Sequence, residues 1–226
     1  MQIAQKTEAS NDTEPSIRDR NFAVIIEAAT LEFAAHGLKG ARMQAIADRA
    51  GLPKGNVHYY FKTKQSLYIA VLDNIVDRWN DQFDDIKKDD DPAWALDQFI
   101  RNKVRFSFED PVASRLFASE IIQGAPHLGH YLRSQMRPWL KDRAAVIQSW
   151  IKQGKMQSLD PTYLIFLIWS STQHYADFEA QISLLISKPK FDENMLQDVS
   201  NFLSRMILSG CGLTAPETPQ IPNRIP

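Results

Sequence analysis

Within seventeen consecutive residues, "GLPKGNVHYYFKTKQSL" from Gly51 to Leu67, the chain sets Lys54, Lys62 and Lys64 beside four rings, His58, Tyr59, Tyr60 and Phe61. Lysines neutralise phosphates, while Asn56, His58 and Tyr59 offer donors and acceptors to phosphates or base edges. The chemistry on offer is recognition of a polyanion. Between Gly37 and Gln65 the chain also carries Lys39, Arg42 and Arg49, with Asp48 as the one carboxylate, although the whole chain has a net charge of −1. A local basic patch on a slightly acidic protein marks a nucleic-acid-binding module joined to something else.

A second group lies in "DPTYLIFLIWSSTQHYADFEAQI" (160 to 182), where Trp169 and Gln173 stand one helical turn apart on a shared face. An indole platform beside an amide that both donates and accepts suits a flat heterocycle with alternating carbonyl and N–H groups. Trp79, at the end of "LYIAVLDNIVDRW", can close the other side of such a pocket, and Asp177, four residues past Gln173, can orient its amide. Tryptophan at helical spacing also builds cores, and a glutamine in an apolar helix can bridge to backbone or to a dimer partner.

Catalytic constellations are incomplete. His127 and His130 in "HLGH", and His174 with Asp177 in "HYAD", lack a third ligand or a nucleophile, and no glycine-rich phosphate loop, nucleophile elbow or HExxH motif occurs. Cys211 is the single cysteine, so no internal disulfide or multi-thiolate site can form. The expectation is a protein that is no enzyme and needs no metal or cofactor.

The elements that must position these groups read as helices throughout; no stretch alternates like a half-buried strand. Phe22, Ile25, Ile26, Ala29 and Phe33 recur at helical spacing over 16 to 36, and Gly37 is the expected stop. "MQAIADRA" and "PKGNVHYYF" are two short helices around a Gly51 turn, with Pro53 opening the second. A longer helix starts at Thr63, whose hydroxyl can cap it, and runs to about Ile86. Beyond the charged break "KKDDDP" come helices at about 92 to 109, 112 to 123, 127 to 154, 160 to 187 and 192 to 210, mostly separated by joints in which proline follows an acidic or small residue. The expectation is nine helices. They divide into an arm (1 to 15), a helix-turn-helix domain (16 to 66), a larger bundle (67 to 211) and a proline-rich tail (212 to 226). The last two long helices carry more apolar residues than one buried stripe needs, among them Leu164, Leu167, Ile168, Phe178, Ile182, Leu185, Phe202, Leu203 and Ile207; two copies can pair them in a four-helix interface.

Two short helices about a tight turn, the second flanked by cations, have the geometry that seats one helix in a DNA major groove. In "ARMQAIADRAGLPKGNVHYYFKTKQSLYIAVL" the sequence resembles the DNA-binding signature of the TetR family of bacterial one-component regulators. The resemblance implies an all-α, nine-helix fold, a homodimer on double-stranded operator DNA, and contacts from Arg42, Lys54, Gly55, Asn56, His58, Tyr59, Tyr60 and Lys64. One departure is that Ala41 and Arg42 stand where members often have a capping threonine. The bundle is similar to that of the family's regulators of pyrimidine utilisation, whose ligands are uracil and thymine. This implies a pyrimidine effector held by Trp79, Trp169 and Gln173, with Arg115, Tyr175 and Asp177 from the matched segments. A different small heterocycle is the alternative effector. The longest apolar run, Tyr163 to Trp169, is far short of the roughly 20 residues that span a bilayer, and the N-terminus lacks the order of a signal peptide, so a cytoplasmic location is expected.

Overall fold

A computed structural model describes residues 16 to 216, with the side chains of Asn80, Asp81 and Gln82 left aside; the expected arm over 1 to 15 and the tail beyond 216 lie outside the described residues. The described residues are helical with no strand. The first helix, α1 (Ile17–Gly40), starts where Ser16 accepts from the Asp19 N–H. Its helical backbone breaks at Gly37, φ 63° and ψ 173°, the expected stop, before one more turn to Gly40. Then come α2 (Met43–Ala50), the left-handed Gly51 that closes it, α3 (Lys54–Tyr60) and α4 (Lys64–Asp84). Thr63 and Ser66 form a capping box at the start of α4.

The next joints share one device. Asp91, Asp110 and Asp160 each accept backbone N–H groups of the turn that follows, and Pro92, Pro111 and Pro161 begin α5 (Pro92–Glu109), α6 (Pro111–Ile122) and α9 (Pro161–Asp177). An acceptor before a residue that has no N–H to orphan starts a helix on both counts. Between α6 and α9 the chain makes a short turn of helix, α7 (Gly129–Tyr131), passes through a π-helical segment (Leu132–Met136) and continues as α8 (Arg137–Lys152). After α9 come α10 (Glu179–Ile186) and α11 (Glu193–Gly210).

Two expected helices are therefore interrupted. The span 160 to 187 breaks at Phe178, φ −115° and ψ 27°. No glycine or proline marks the place; instead Ser114 donates to the Asp177 carboxylate at 2.6 Å and Arg115 Nη1 to the Ala176 carbonyl at 3.4 Å, so contacts from α6 hold the last turn of α9. The span 127 to 154 is interrupted by the π-helical segment.

Apolar packing falls into two cores. Ile25, Phe33, Ile46, Val57, Leu67 and Leu72 of α1 to α4 pack with Ala113 and Leu116 of α6 and with Leu128. Phe83, Phe99, Ile100, Trp150, Ile165 and Leu208 build the second, around α5. The division falls within α4, between Trp79 and Phe83. Arg143 of α8 donates to the carbonyls of Phe83 and Asp84 at 2.7 and 2.6 Å, closing the end of α4. No described helix is long and apolar enough to cross a membrane.

Asp110 both caps α6 and receives Arg78 of α4 at 2.7 Å. Because that ion pair is partly exposed, the cap dominates: Asp110→Ala should lower stability by about 1 to 2 kcal/mol, read as a lower urea midpoint at unchanged slope.

Candidate DNA interface and effector site

The recognition helix α3 sorts its side chains by depth. Val57 and Phe61 are buried, with Phe61 against Phe22 of α1 at 5.6 Å between centroids. Lys54, Gly55, Asn56 and Tyr59 face out, Tyr59 with 69% of its surface exposed, and His58 is half-buried. The Tyr59 ring lies edge-on to Tyr60 at 5.5 Å between centroids, which leaves the phenol at the surface with Lys54 and Asn56. Gly55 has nothing within 4 Å of where a Cβ would stand, so no internal packing requires a glycine there.

Two nominated residues have structural partners as well. Tyr60 donates its hydroxyl to the Arg18 carbonyl at 3.3 Å, fastening α3 to the start of α1. Lys64 donates to the Lys39 and Ala41 carbonyls at 3.0 and 2.8 Å, which closes the end of α1 and leaves one ammonium proton uncommitted. Arg42 is exposed and opens α2 with no side-chain cap, as the missing threonine implies; its backbone N–H donates to the buried Glu32 carboxylate at 3.1 Å.

In the bundle, the six nominated ligand residues gather into separate neighbourhoods. Trp79 is buried, its edge against Phe117 of α6 at 5.1 Å and its face under the Lys103 ammonium, 4.5 Å from the ring centroid. Lys103 belongs to α5 and is only 5% exposed. Burial pushes its pKa down to about 7, an effect the Asp177 charge opposes. Burial also raises the Asp177 carboxyl above its ordinary value, against the pull of the Ser114 hydrogen bond and of Arg115, His174 and Lys103. Arg115 pairs with Glu179 of α10 at 2.5 Å. Trp79, Arg115 and Asp177 thus meet through Lys103 and Ser114, two side chains the motif reading passed over.

Trp169 lies against Trp139 of α8, centroids 5.9 Å apart, and against Phe166. Trp139 donates its Nε1 to Asp84 of α4. Among the described residues Trp169 and Trp79 share no ring contact; Gln173, half-buried, lies between Trp169 and Asp177 along α9. Asp177 does not orient the Gln173 amide as expected, since its bond goes to Ser114. Tyr175 points elsewhere, toward Phe108, and with Lys190 and Phe191 lines a small recess. The apolar residues nominated for pairing also divide: Leu164, Ile168, Leu203 and Ile207 are buried within the chain, whereas Leu167, Phe178, Leu185 and Phe202 are exposed and Ile182 is half-buried. No described group of histidine, cysteine and carboxylate side chains is arranged to hold a metal ion.

Residues 25 to 71 match the family described as bacterial regulatory proteins, tetR family, and residues 72 to 214 match the YcdC-like protein C-terminal region. The chain belongs to the TetR family. It is 39% identical to the HTH-type transcriptional regulator RutR of Escherichia coli K12 over 186 residues, 82% of this chain and 88% of that protein. It is 26% identical to the HTH-type transcriptional repressor NicS of Pseudomonas putida over 85% of this chain and 92% of that one. Among solved structures, the transcriptional regulator FadR from Bacillus subtilis in complex with stearoyl-CoA superposes with a TM-score of 0.60 at 18% identity, covering 84% and 98% of the two chains. The chain is a helix-turn-helix transcriptional regulator of the TetR type, and not an enzyme.

Gly55→Ala separates folding from binding. An added methyl meets no neighbour inside the protein and favours helix by about 0.5 to 1 kcal/mol, so the melting temperature should hold or rise. Duplex DNA binding, followed by fluorescence anisotropy, should weaken by about tenfold, the scale of one disrupted contact. Equal affinity would remove Gly55 from the interface.

Proposed function

We propose that the protein is a regulator that binds operator DNA as a homodimer and responds to a small pyrimidine such as uracil or thymine. The observation that carries the effector reading is a polar island inside the apolar bundle: Lys103, Asp177 and Ser114 beside Trp79, with Gln173 one turn before Asp177 on α9. An apolar core keeps a cation and a carboxylate near one another at a cost in stability, and a ligand that needs both donors and acceptors is a reason to bear it. Uracil presents two carbonyl oxygens and two N–H groups on a flat ring. Lys103 can donate to a carbonyl, Asp177 can accept an N–H, and Gln173 can do both. The resemblance of the bundle to the pyrimidine-utilisation regulators supports this ring over others of the same chemistry.

Arg42, Lys54, Gly55, Asn56, His58, Tyr59, Tyr60 and Lys64 are the DNA-facing set in this reading. Exposed Leu167, Leu185 and Phe202, joined by Leu184 and Met206, supply the pairing face on α9 to α11. A self-complementary patch of this kind closes with a second copy. Trp79 lies on α4, the helix that continues from the DNA-reading end, so a ligand that moves its indole moves the spacing of the two recognition helices, which must match half-sites about 34 Å apart.

Calorimetric titration with uracil, with thymine and cytosine for comparison, tests the effector. Wild type should bind uracil at micromolar affinity, and Gln173→Ala should weaken binding roughly tenfold or more through loss of a two-sided hydrogen bond. Absence of uracil binding to wild type would retire the pyrimidine reading and leave the DNA-binding regulator in place.

A further inference from the structure

Lys103 stands out among the cations of the bundle. Two residues earlier on α5, Arg101 shows how a shielded cation is normally kept: its Nε donates to Asp97 at 2.8 Å, and Asp97 also receives Ser204 of α11 at 2.5 Å. Lys103 is more deeply buried and has no carboxylate within ion-pair distance among the described residues. Its ammonium rests on the Trp79 face at 4.5 Å, where the indole quadrupole replaces a counter-ion only in part. A buried ammonium has three N–H donors to satisfy, and a ring face satisfies none of them with an oxygen.

The ionisable groups on the packed helices are otherwise engaged, except Asp73 of α4, one of whose buried oxygens has no hydrogen-bond partner. On α9, Asp177 bears on Lys103 from beyond hydrogen-bond reach and accepts from Ser114, while His174 lies against Phe178 at 4.8 Å. On α6, Arg115 is paired with Glu179, and Glu120 accepts from Tyr68 and the His127 backbone. On α4, Asp77 receives the Tyr131 hydroxyl and Asp73 is raised by burial beside Asp77. On α5 and α11, Asp97 is held by Arg101 and Ser204. None of these completes the environment of the Lys103 ammonium.

Resting on the effector-site reading above, we propose that Lys103 is the specificity-determining group of that site, donating a hydrogen bond from its buried ammonium to an exocyclic oxygen of a flat ring ligand. A ring that offers only apolar atoms or donors at this point would leave the cation unsatisfied and bind poorly. Because burial brings the free lysine down to about 7, part of the population is neutral above that pH. Binding of an acceptor oxygen requires the ammonium, so the site takes up to one proton from the buffer as the ligand enters above about pH 7 and little below it. The sign follows: affinity is flat below about pH 7 and falls by up to about tenfold per pH unit above it.

The test is calorimetric titration of the full chain with two probes, uracil and benzoate, at pH 6.5 and 8.5 in buffers of different ionisation enthalpy, for wild type and Lys103→Met. Wild type should lose roughly 25-fold in affinity between the two pH values and take up close to one proton on binding at pH 8.5 but only a small fraction at pH 6.5. Lys103→Met should lose both effects and bind at least tenfold more weakly at pH 6.5, while its melting temperature holds or rises because a buried charge has gone. That combination separates a ligand contact from a residue needed only for folding. Uracil binding that is independent of pH and equal in Lys103→Met overturns the role of Lys103 and leaves the pyrimidine reading standing. Lys103-dependent binding of benzoate without uracil overturns the pyrimidine reading and supports Lys103. Failure of both probes to bind wild type overturns both.

Discussion

The buried carboxylate of Glu120 is the joint on which the DNA-reading end and the bundle meet. It lies on α6 with 2% exposure and accepts four contacts: the Tyr68 hydroxyl at 3.1 Å, the backbone N–H groups of His127 and Leu128 at 2.6 and 3.3 Å, and the His127 ring at 3.3 Å. A carboxylate so deep is tolerable only with its oxygens filled, and filling them fixes α4, α6 and the loop before α7 to one another. Tyr68 extends the joint to α1 through its edge contact with Phe33 at 5.0 Å. Burial and the Glu120 charge push the Tyr68 hydroxyl far above its ordinary value, so it stays a donor throughout the physiological range. The same carboxylate that closes the loop therefore sets the register of the helix carrying Trp79.

Along α6 the consequences alternate with helical period. Ser114 and Phe117 reach Asp177 and Trp79, the polar island of the bundle; Leu116 packs into the first core with Phe33 and Ile46. Arg115, between them, borders both the groove along the end of α1 and the groove lined by Asp177 and Glu179. The contacts to Asp177 and Trp79 and the packing against α1 are thus carried by one helix of about three turns, and a shift of Ser114 or Phe117 has little slack to absorb it before it meets the packing of α1.

Much of this was legible because the chain writes its boundaries in residues with one physical meaning. Aspartate before proline started three helices, Thr63 started a fourth, and Gly37 and Gly51 stopped two more. What was not legible depends on partners remote in sequence. The break at Phe178 is held by contacts from Ser114 and Arg115, more than sixty residues earlier; the π-helical segment, by contrast, ends two residues before Pro138, which has no N–H to give the Ser134 carbonyl, a signal inside the expected 127 to 154 helix that the sequence reading passed over. The commitments of Tyr60 to Arg18 and of Lys64 to Lys39 and Ala41 exist only once α1 lies across α3 and α4. Lys103 was missed for the same reason: in "FIRNKVRF" it reads as one more surface cation, and the spacing of its neighbours gives no sign that α4 and α9 cover it.

These contacts also constrain how a signal can pass. A pivot of α4 alone about Trp79 would have to break Tyr68 from Glu120, Arg78 from Asp110 and Trp79 from Phe117, three links spaced along the α4–α6 seam. The first is buried and charge-assisted, so it is the most expensive to open. Motion of α4 and α6 as one body preserves all three links and works instead against α5, which is tied to them at one end by Asp110, the residue that closes α5 and opens α6, and meets Trp79 through the Lys103 ammonium. A cation held by a ring face has no fixed hydrogen-bond geometry to lose, so away from the Asp110 end this contact is the one most tolerant of movement. In the proposed reading the effector site and this seam coincide, so a ligand that gave Lys103 an oxygen would act on the same contact that sets the position of α4.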